Sequence, residues 1–212
     1  MTKDDDKPFG YAPELPEDVR PVFQNLCQDL ASLHGKWRFY LELFSDRDTV
    51  GLLNNVAMAS FQMLEESLRS DITMSICRLC DPAKSCGQNN LSINVLVEKF
   101  SKVPGLSQLW DDFQRQCEPV RQYRNKRIGH NDLSAALQPH DNPLPNVTRP
   151  TIDSILSEAT KLVNQVYRFH THTNGELCFE PFDSGGGKDL VFWLKSAWNR
   201  DQEERSGDGV HS

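Results

Sequence analysis

Three cations, an amide and a histidine fall within seven residues at Arg124-Asn125-Lys126-Arg127-Ile128-Gly129-His130. These side-chain types can handle a phosphodiester. A guanidinium grips phosphate oxygens through a fixed fork of N–H donors and keeps its charge at physiological pH. An imidazole titrates near neutrality and can move a proton to or from a hydroxyl. Together they suit metal-free cleavage of RNA, in which a ribose 2′-OH attacks its own phosphate, with Asn125 orienting either group. Spacing alone carries little weight. The chain holds 13 Arg and 6 His, and Arg205 and His211 form a second pair at the same interval in the polar tail. On a continuous helix, the step from Arg124 to His130 turns about 240°, so the two would not share a face. If Gly129 ends the helix, His130 can fold back beside Arg124. The competing reading is a solvated helix end, where cations offset the negative pole of the dipole and His130 is incidental.

Net charge is -7, with 38% hydrophobic and 25% charged residues. That balance argues against broad duplex binding, which needs many phosphate-neutralising cations. A local site remains open, because Arg121, Arg124, Lys126 and Arg127 stand together with no acid among them. No apolar run approaches the roughly 20 residues that span a bilayer. The start is acidic (Asp4, Asp5, Asp6), unlike a secretory leader. No membrane association is expected, and the expected location is cytoplasmic. Cys77-x2-Cys80-x5-Cys86 resembles part of a zinc set, but no fourth ligand has suitable spacing. Cys77 and Cys80 also fit one apolar helix face, where free Cys behaves as a small hydrophobe. No metal, cofactor or disulfide framework is expected. A phosphate-binding Gly-rich loop, a Gly-x-Ser-x-Gly elbow and a His-Glu-x-x-His motif are all absent. Gly185-Gly186-Gly187 reads as a flexible linker, or as backbone N–H groups offered to an anion ahead of a helix.

The elements that must position the cation-rich stretch read as helices. Val22, Leu26, Leu30, Leu33, Trp37, Tyr40 and Phe44 recur at helical spacing. A second stripe, Leu53, Val56, Phe61, Leu64, Leu68, Ile72, Ile76 and Leu79, predicts one helix of about 30 residues, roughly 45 Å long. Met58 and Met63 are expected to fill its core side, and Pro82 to stop it. A loop at 82–90 leads to a short helix carrying Ile93, Leu96, Val97 and Phe100. A fourth helix carries Leu109, Phe113, Cys117 and Val120, with a kink or restart expected at Pro119. The cation-rich stretch closes it. After a loop or hairpin-like excursion at 133–149, a fifth helix runs from about Thr151. A short extended piece is expected at 177–179, then a final helix at about 188–200. The fold class is all-α, a bundle of long antiparallel helices with a terminal extra helix. Residues 1–16 are expected to be a disordered lead-in, 17–200 the helical domain and 201–212 a disordered tail.

Four signatures in this order resemble the AbiU-type (abortive infection) branch of the HEPN superfamily, over roughly residues 20–200. They are Trp37-x2-Tyr40-x3-Phe44; Ile76-Cys77-Arg78-Leu79-Cys80-Asp81; Asn89-Asn90-Leu91-Ser92; and Arg124-Asn125-Lys126-Arg127-Ile128-Gly129-His130-Asn131-Asp132. The resemblance implies a HEPN-like bundle and a homodimer with the two motifs at or near the two-fold axis. In active members it implies a metal-independent endoribonuclease, often a toxin held in check by an antitoxin partner. Carried over, Arg124 and His130 are catalytic with Asn125 in support. Arg121, Lys126 and Arg127 are candidate substrate contacts. Arg78 and Asp81 match a signature read as support for the site or the helix packing. Gly129 stands where the family usually has Ala. The alternative within the superfamily is a non-catalytic dimerisation or RNA- or nucleotide-binding module.

Overall fold

The apolar stripes fold as helices, as their spacing dictates. The computed structural model describes residues 9–129, 145–179 and 185–208. In chain order the elements are α1 (Arg20–Phe44), α2 (Arg47–Leu79), β1 (Lys84–Ser85), β2 (Gln88–Asn89), α3 (Ile93–Lys99) and α4 (Leu106–Tyr123). A π-helical segment follows (Arg124–Gly129), then α5 (Arg149–Thr171) and α6 (Gly187–Asp208). The protein is all-α apart from the two-residue strands, consistent with a HEPN-like fold. No helix among the described residues is long and apolar enough to cross a membrane.

Packing divides the chain into two compact units, Met1–His34 with Ile72–Glu180, and Gly35–Asp71 with Pro181–Ser212. In the first unit, the start of α1 buries Phe23, Leu26, Leu30 and Leu33. The end of α2 buries Ile76, Cys77 and Cys80. α4 packs most extensively on α5, each presenting one apolar stripe: Phe113, Cys117 and Val120 on one, Ile155, Ala159 and Leu162 on the other. Ala12 and Leu15, inside the stretch expected to be a disordered lead-in, are buried. Gly10 lies so close to α1, at φ +78°, that a Cβ there would meet Cys27 Cβ at 2.8 Å.

The loop expected at 82–90 is a tight hairpin. Lys84 pairs with Asn89 and Ser85 with Gln88. Cys86 and Gly87 both adopt positive φ, the backbone a two-residue hairpin turn of this hand needs. Asn90 closes the hairpin: its amide donates to Pro82 O at 2.8 Å and Ser85 Oγ at 2.9 Å. The Asn-Asn-Leu-Ser signature therefore contributes a structural clasp. Pro119 lies inside α4, which continues through it to Tyr123 without the restart that was one of the two expectations there. The loss of one N–H donor is absorbed inside a helix held by its packing on α5. α5 starts at Arg149, because Thr148 Oγ1 caps the Thr151 N–H at 3.4 Å and Pro150 suits the first turn. Residues 177–179 form no strand. The buried Asn164 holds both backbone groups of Leu177, accepting from its N–H at 2.7 Å and donating to its carbonyl oxygen at 3.1 Å. Leu177 therefore needs no ladder partner.

In the second unit, Trp37 stacks on Tyr40 at 5.4 Å and Tyr40 meets Phe44 at 5.4 Å with the rings tilted, while Tyr40 Oη donates to Glu65 Oε1 at 3.2 Å. The aromatic signature of α1 is a row of packed rings. α2 is not one regular helix, since Ala57 has extended backbone (φ -161°, ψ 68°). Val56, Met58 and Met63, read as core, are exposed. α6 runs from Gly187 to Asp208, beyond the expected end near 200. Its opening glycines meet an anion from their own chain: Lys188 N–H donates to Glu42 Oε2 at 3.3 Å. A Cβ on Gly187 would meet Glu42 Cβ at 2.9 Å.

Candidate functional site

The cation-rich stretch changes the hydrogen-bond register of the helix it closes, although Arg124 itself keeps α-helical dihedrals (φ -53°, ψ -51°). From Arg124 to Gly129 the helix is in the π register, with hydrogen bonds spanning five residues instead of four. An α-helix would carry Gly129 about 140° round from Arg124. The wider turn brings Gly129 back over Arg124, since residues five apart are now the hydrogen-bonded pair. The sequence reading placed a simple helix end here. His130 lies outside the described residues, as does His211 of the second Arg–His pair; Arg205 of that pair is held by Asp201 at 2.9 Å on α6.

Arg124 is oriented on two edges. Its Nε donates to Asn125 Oδ1 at 3.1 Å, and its Nη1 lies 3.7 Å from Asp81 Oδ1. Both members of the ion pair are partly exposed, Arg124 at 26% and Asp81 at 33%. The guanidinium is therefore held but still open to a ligand. The structure thus brings together Arg124, Asn125 and Asp81, from two separate signatures. Arg78 is exposed in the last turn of α2, and Arg127 and Asn125 are exposed on the π segment. Lys126 is half-buried.

Beneath this surface lies a seam that periodicity did not disclose. Gln114, Cys117, Arg121 and Arg124 recur at three- and four-residue steps, so they share one face. That face meets the end of α2 residue by residue. Gln114 Nε2 donates to Cys80 O at 2.8 Å, and the Arg121 guanidinium donates to the same carbonyl. This satisfies one of the carbonyls a helix leaves open at its C-terminus. The Cys80 thiol donates to Cys77 O at 3.4 Å, and the Cys117 thiol is buried on this same face of α4. Arg124 with Asp81 completes the row. Gln114 and Cys117 were missed as site-forming residues; the signal available was polar and thiol groups at helical spacing ahead of Arg121 and Arg124.

The thiols are electrostatically unequal. Cys80 is held below the ordinary thiol range by its hydrogen bond with Cys117, against the effect of burial and with help from the Arg121 charge. Cys117 is pushed up by the same hydrogen bond and by burial. Burial pushes Cys77 up to about 12. Burial also works against the Arg121 charge, but interaction with Cys80 more than offsets it and the guanidinium is held protonated. Cys86 is exposed on the hairpin, whereas Cys77 and Cys80 are buried. Among the described residues no three His, Cys, Asp or Glu side chains are grouped to hold a metal ion.

An all-α bundle with an oriented arginine late in a long helix is the HEPN arrangement. The family model for AbiU2 (HEPN_AbiU2) matches residues 17–189, and the chain belongs to that family of HEPN-type, abortive-infection-associated domains. Searches of curated proteins and of solved structures find no match.

Proposed function

We propose that the protein is a metal-independent endoribonuclease of an abortive-infection or toxin–antitoxin system, acting as a homodimer whose two motifs lie together. The observation that carries this reading is the Arg124 guanidinium, fixed by Asn125 and Asp81 yet partly open to solvent. Arg124 takes a non-bridging phosphate oxygen and stabilises the charge that builds on it. His130 moves the proton: the ribose 2′-OH loses one as its oxygen bonds to phosphorus, and the 5′-oxygen gains one as it leaves. The product is a 2′,3′-cyclic phosphate and a 5′-hydroxyl. Asn125 orients Arg124. Lys126 and Arg127 add positive charge for the flanking backbone. Arg121 spends one donor on the Cys80 carbonyl, and a guanidinium has five. Pairing two such stretches in a dimer doubles the local positive charge, which an acidic chain needs to hold RNA. An antitoxin partner would hold the toxin in check.

The test is incubation of purified protein, and of a His130→Ala variant, with structured RNA in EDTA. Cleavage by the first alone, leaving 2′,3′-cyclic phosphate ends, is the expected result. No cleavage and no growth effect on expression would sink the nuclease reading. Light scattering checks the dimer, for which a mass near 24.2 kDa at micromolar concentration is the contrary outcome. The alternative, a non-catalytic RNA- or nucleotide-binding module, draws on one observation: the Asp81 carboxylate beside Arg124 competes with phosphate for the guanidinium. RNA binding without cleavage would favour it.

A further inference from the structure

We infer that the outward face of α6 is a binding site for single-stranded RNA, with Phe192 and Trp193 as stacking platforms for bases and Lys188, Lys195 and Arg200 as phosphate contacts. α6 packs through Leu190, Val191, Leu194 and Trp198, which recur at helical steps and are partly buried. Phe192 and Trp193 fall outside that stripe; Phe192 is about 160° round from Leu194. They are 61% and 68% exposed. Their rings meet edge to face at 5.3 Å, which braces each against the other. Cations flank both rings. Lys188 stands four residues before Phe192 and Lys195 three after it, so the three form one row of the helix surface. Ser196 and Arg200 follow Trp193 along the neighbouring row.

Charge decides what covers these rings. Lys188, Lys195 and Arg200 are exposed, and none is in an ion pair with another described residue. The nearest acids are engaged. Asp189 accepts from Gly185 N–H at 2.6 Å, and Asp201 pairs with Arg205 at 2.9 Å. From Lys188 to Arg200 the helix carries three cations against one acid, in a chain of net charge -7. An apolar protein surface would cover the rings but leave those cations without a counter-charge, and Lys is depleted from protein interfaces. A single strand matches both parts of the pattern. Each base offers a flat π face to a ring, and each phosphate a charge to a flanking cation. A duplex does not, because its bases are already stacked on one another. The cations extend along about 18 Å of helix, the reach of a few nucleotides.

This surface belongs to the second unit and uses none of Arg124, Asn125 or His130. It supplies a local hold on RNA in an acidic chain that has too few cations for broad backbone binding. Its sequence tolerance follows from stacking, since every base has a π face. A contribution to cleavage, by retaining a single-stranded substrate, rests on the nuclease reading; the binding of a single strand does not.

The test uses the full chain and a 2′-O-methyl oligouridine of about twelve nucleotides, within the length one single-strand site takes and proof against 2′-OH attack. Trp193→Ala should weaken binding about tenfold or more, the scale of one lost base stack, with an unchanged melting curve. Trp193→Phe should restore most of the affinity. Lys188→Gln, Lys195→Gln and Arg200→Gln together should reduce the slope of log affinity on log salt by about two, at roughly 0.7 per phosphate contact. One readout needs no variant: ultraviolet cross-linking of a 4-thiouridine form of the strand to wild-type protein should label the peptide that carries Phe192 and Trp193. No binding by wild-type protein, unchanged affinity and salt slope in the variants, or cross-links only elsewhere overturn the site. So does a Trp193→Ala variant that halves the light-scattering mass while keeping its affinity, which would make the face an interface between copies. Unmodified RNA that is bound but left uncut in EDTA counts against the nuclease reading and leaves this site standing. RNA that is cut while Trp193→Ala binds the oligouridine as wild type does the reverse.

Discussion

Asp81 Oδ1 lies 3.7 Å from Arg124 Nη1, joining the end of α2 to the start of the π segment. A pair this exposed contributes little to stability, about 0–1 kcal/mol. Its value is orientation of one guanidinium edge. Asp81→Asn should therefore leave the denaturation midpoint nearly unchanged while lowering kcat for RNA about tenfold, with KM unchanged or lower. A purely structural pair would move the midpoint and leave kcat alone.

Arg124→Lys keeps the charge and removes the fork. Lysine cannot hold Asn125 and Asp81 on two edges and still present paired donors to a phosphate. Single-turnover cleavage should fall about a hundredfold or more, the scale for loss of a donor to transition-state charge. Retention of near wild-type rate would mean that charge alone suffices.

Two glycines of the second unit should respond with opposite signs to the same substitution. Gly187→Ala puts a Cβ 2.9 Å from Glu42 Cβ and 3.3 Å from the Phe39 carbonyl oxygen. It should cost about 1–3 kcal/mol through overpacking. Gly35→Ala meets nothing within 4 Å in the interior of α1 and should gain about 0.5–1 kcal/mol from helix propensity. Urea denaturation of the two variants distinguishes them; a shift of the same sign in both would contradict the packing described at Glu42.

His170 gives a pH dependence. Its Nε2 is buried without a hydrogen-bond partner among the described residues, and its ring packs on Phe100 at 4.3 Å. Burial, then the charge of His172, lowers its pKa from 6.5. The unfolded chain therefore binds the proton more readily than the folded one. The contribution is present above pH 6.5 and is lost as pH falls through the folded value. The midpoint in urea should drop from pH 7.5 to pH 5.5, and His170→Leu should drop less. Equal drops would remove His170 as the cause.

The helices were legible because burial imposes a 3.6-residue period that Leu26, Leu30 and Leu33, or Ile155, Leu156 and Ala159, display directly. The break at Ala57 was not, because no Pro or Gly marks it. The exposure of Met58 and Met63 was not legible either, since a large apolar side chain reads as core by default. In the site, Arg124, Asn125 and the Asp81 signature could be read from residue type. The Cys80 carbonyl could not: a backbone oxygen has no sequence identity, and its partners lie 34 and 41 residues away. The π register was equally silent. It is a property of the hydrogen-bond ladder, and the polar run from Arg124 to Arg127 has no apolar period to reveal the change.

The central claim is chemical, that a ribose 2′-OH is the nucleophile at a site served by Arg124 and His130. The direct measurement places a single 2′-deoxy nucleotide at the mapped cleavage position of an RNA substrate, in EDTA. Cleavage should stop at that position alone, and the unmodified RNA should yield a 2′,3′-cyclic phosphate end. Continued cleavage at the 2′-deoxy position would mean that water attacks the phosphate, and would contradict the account.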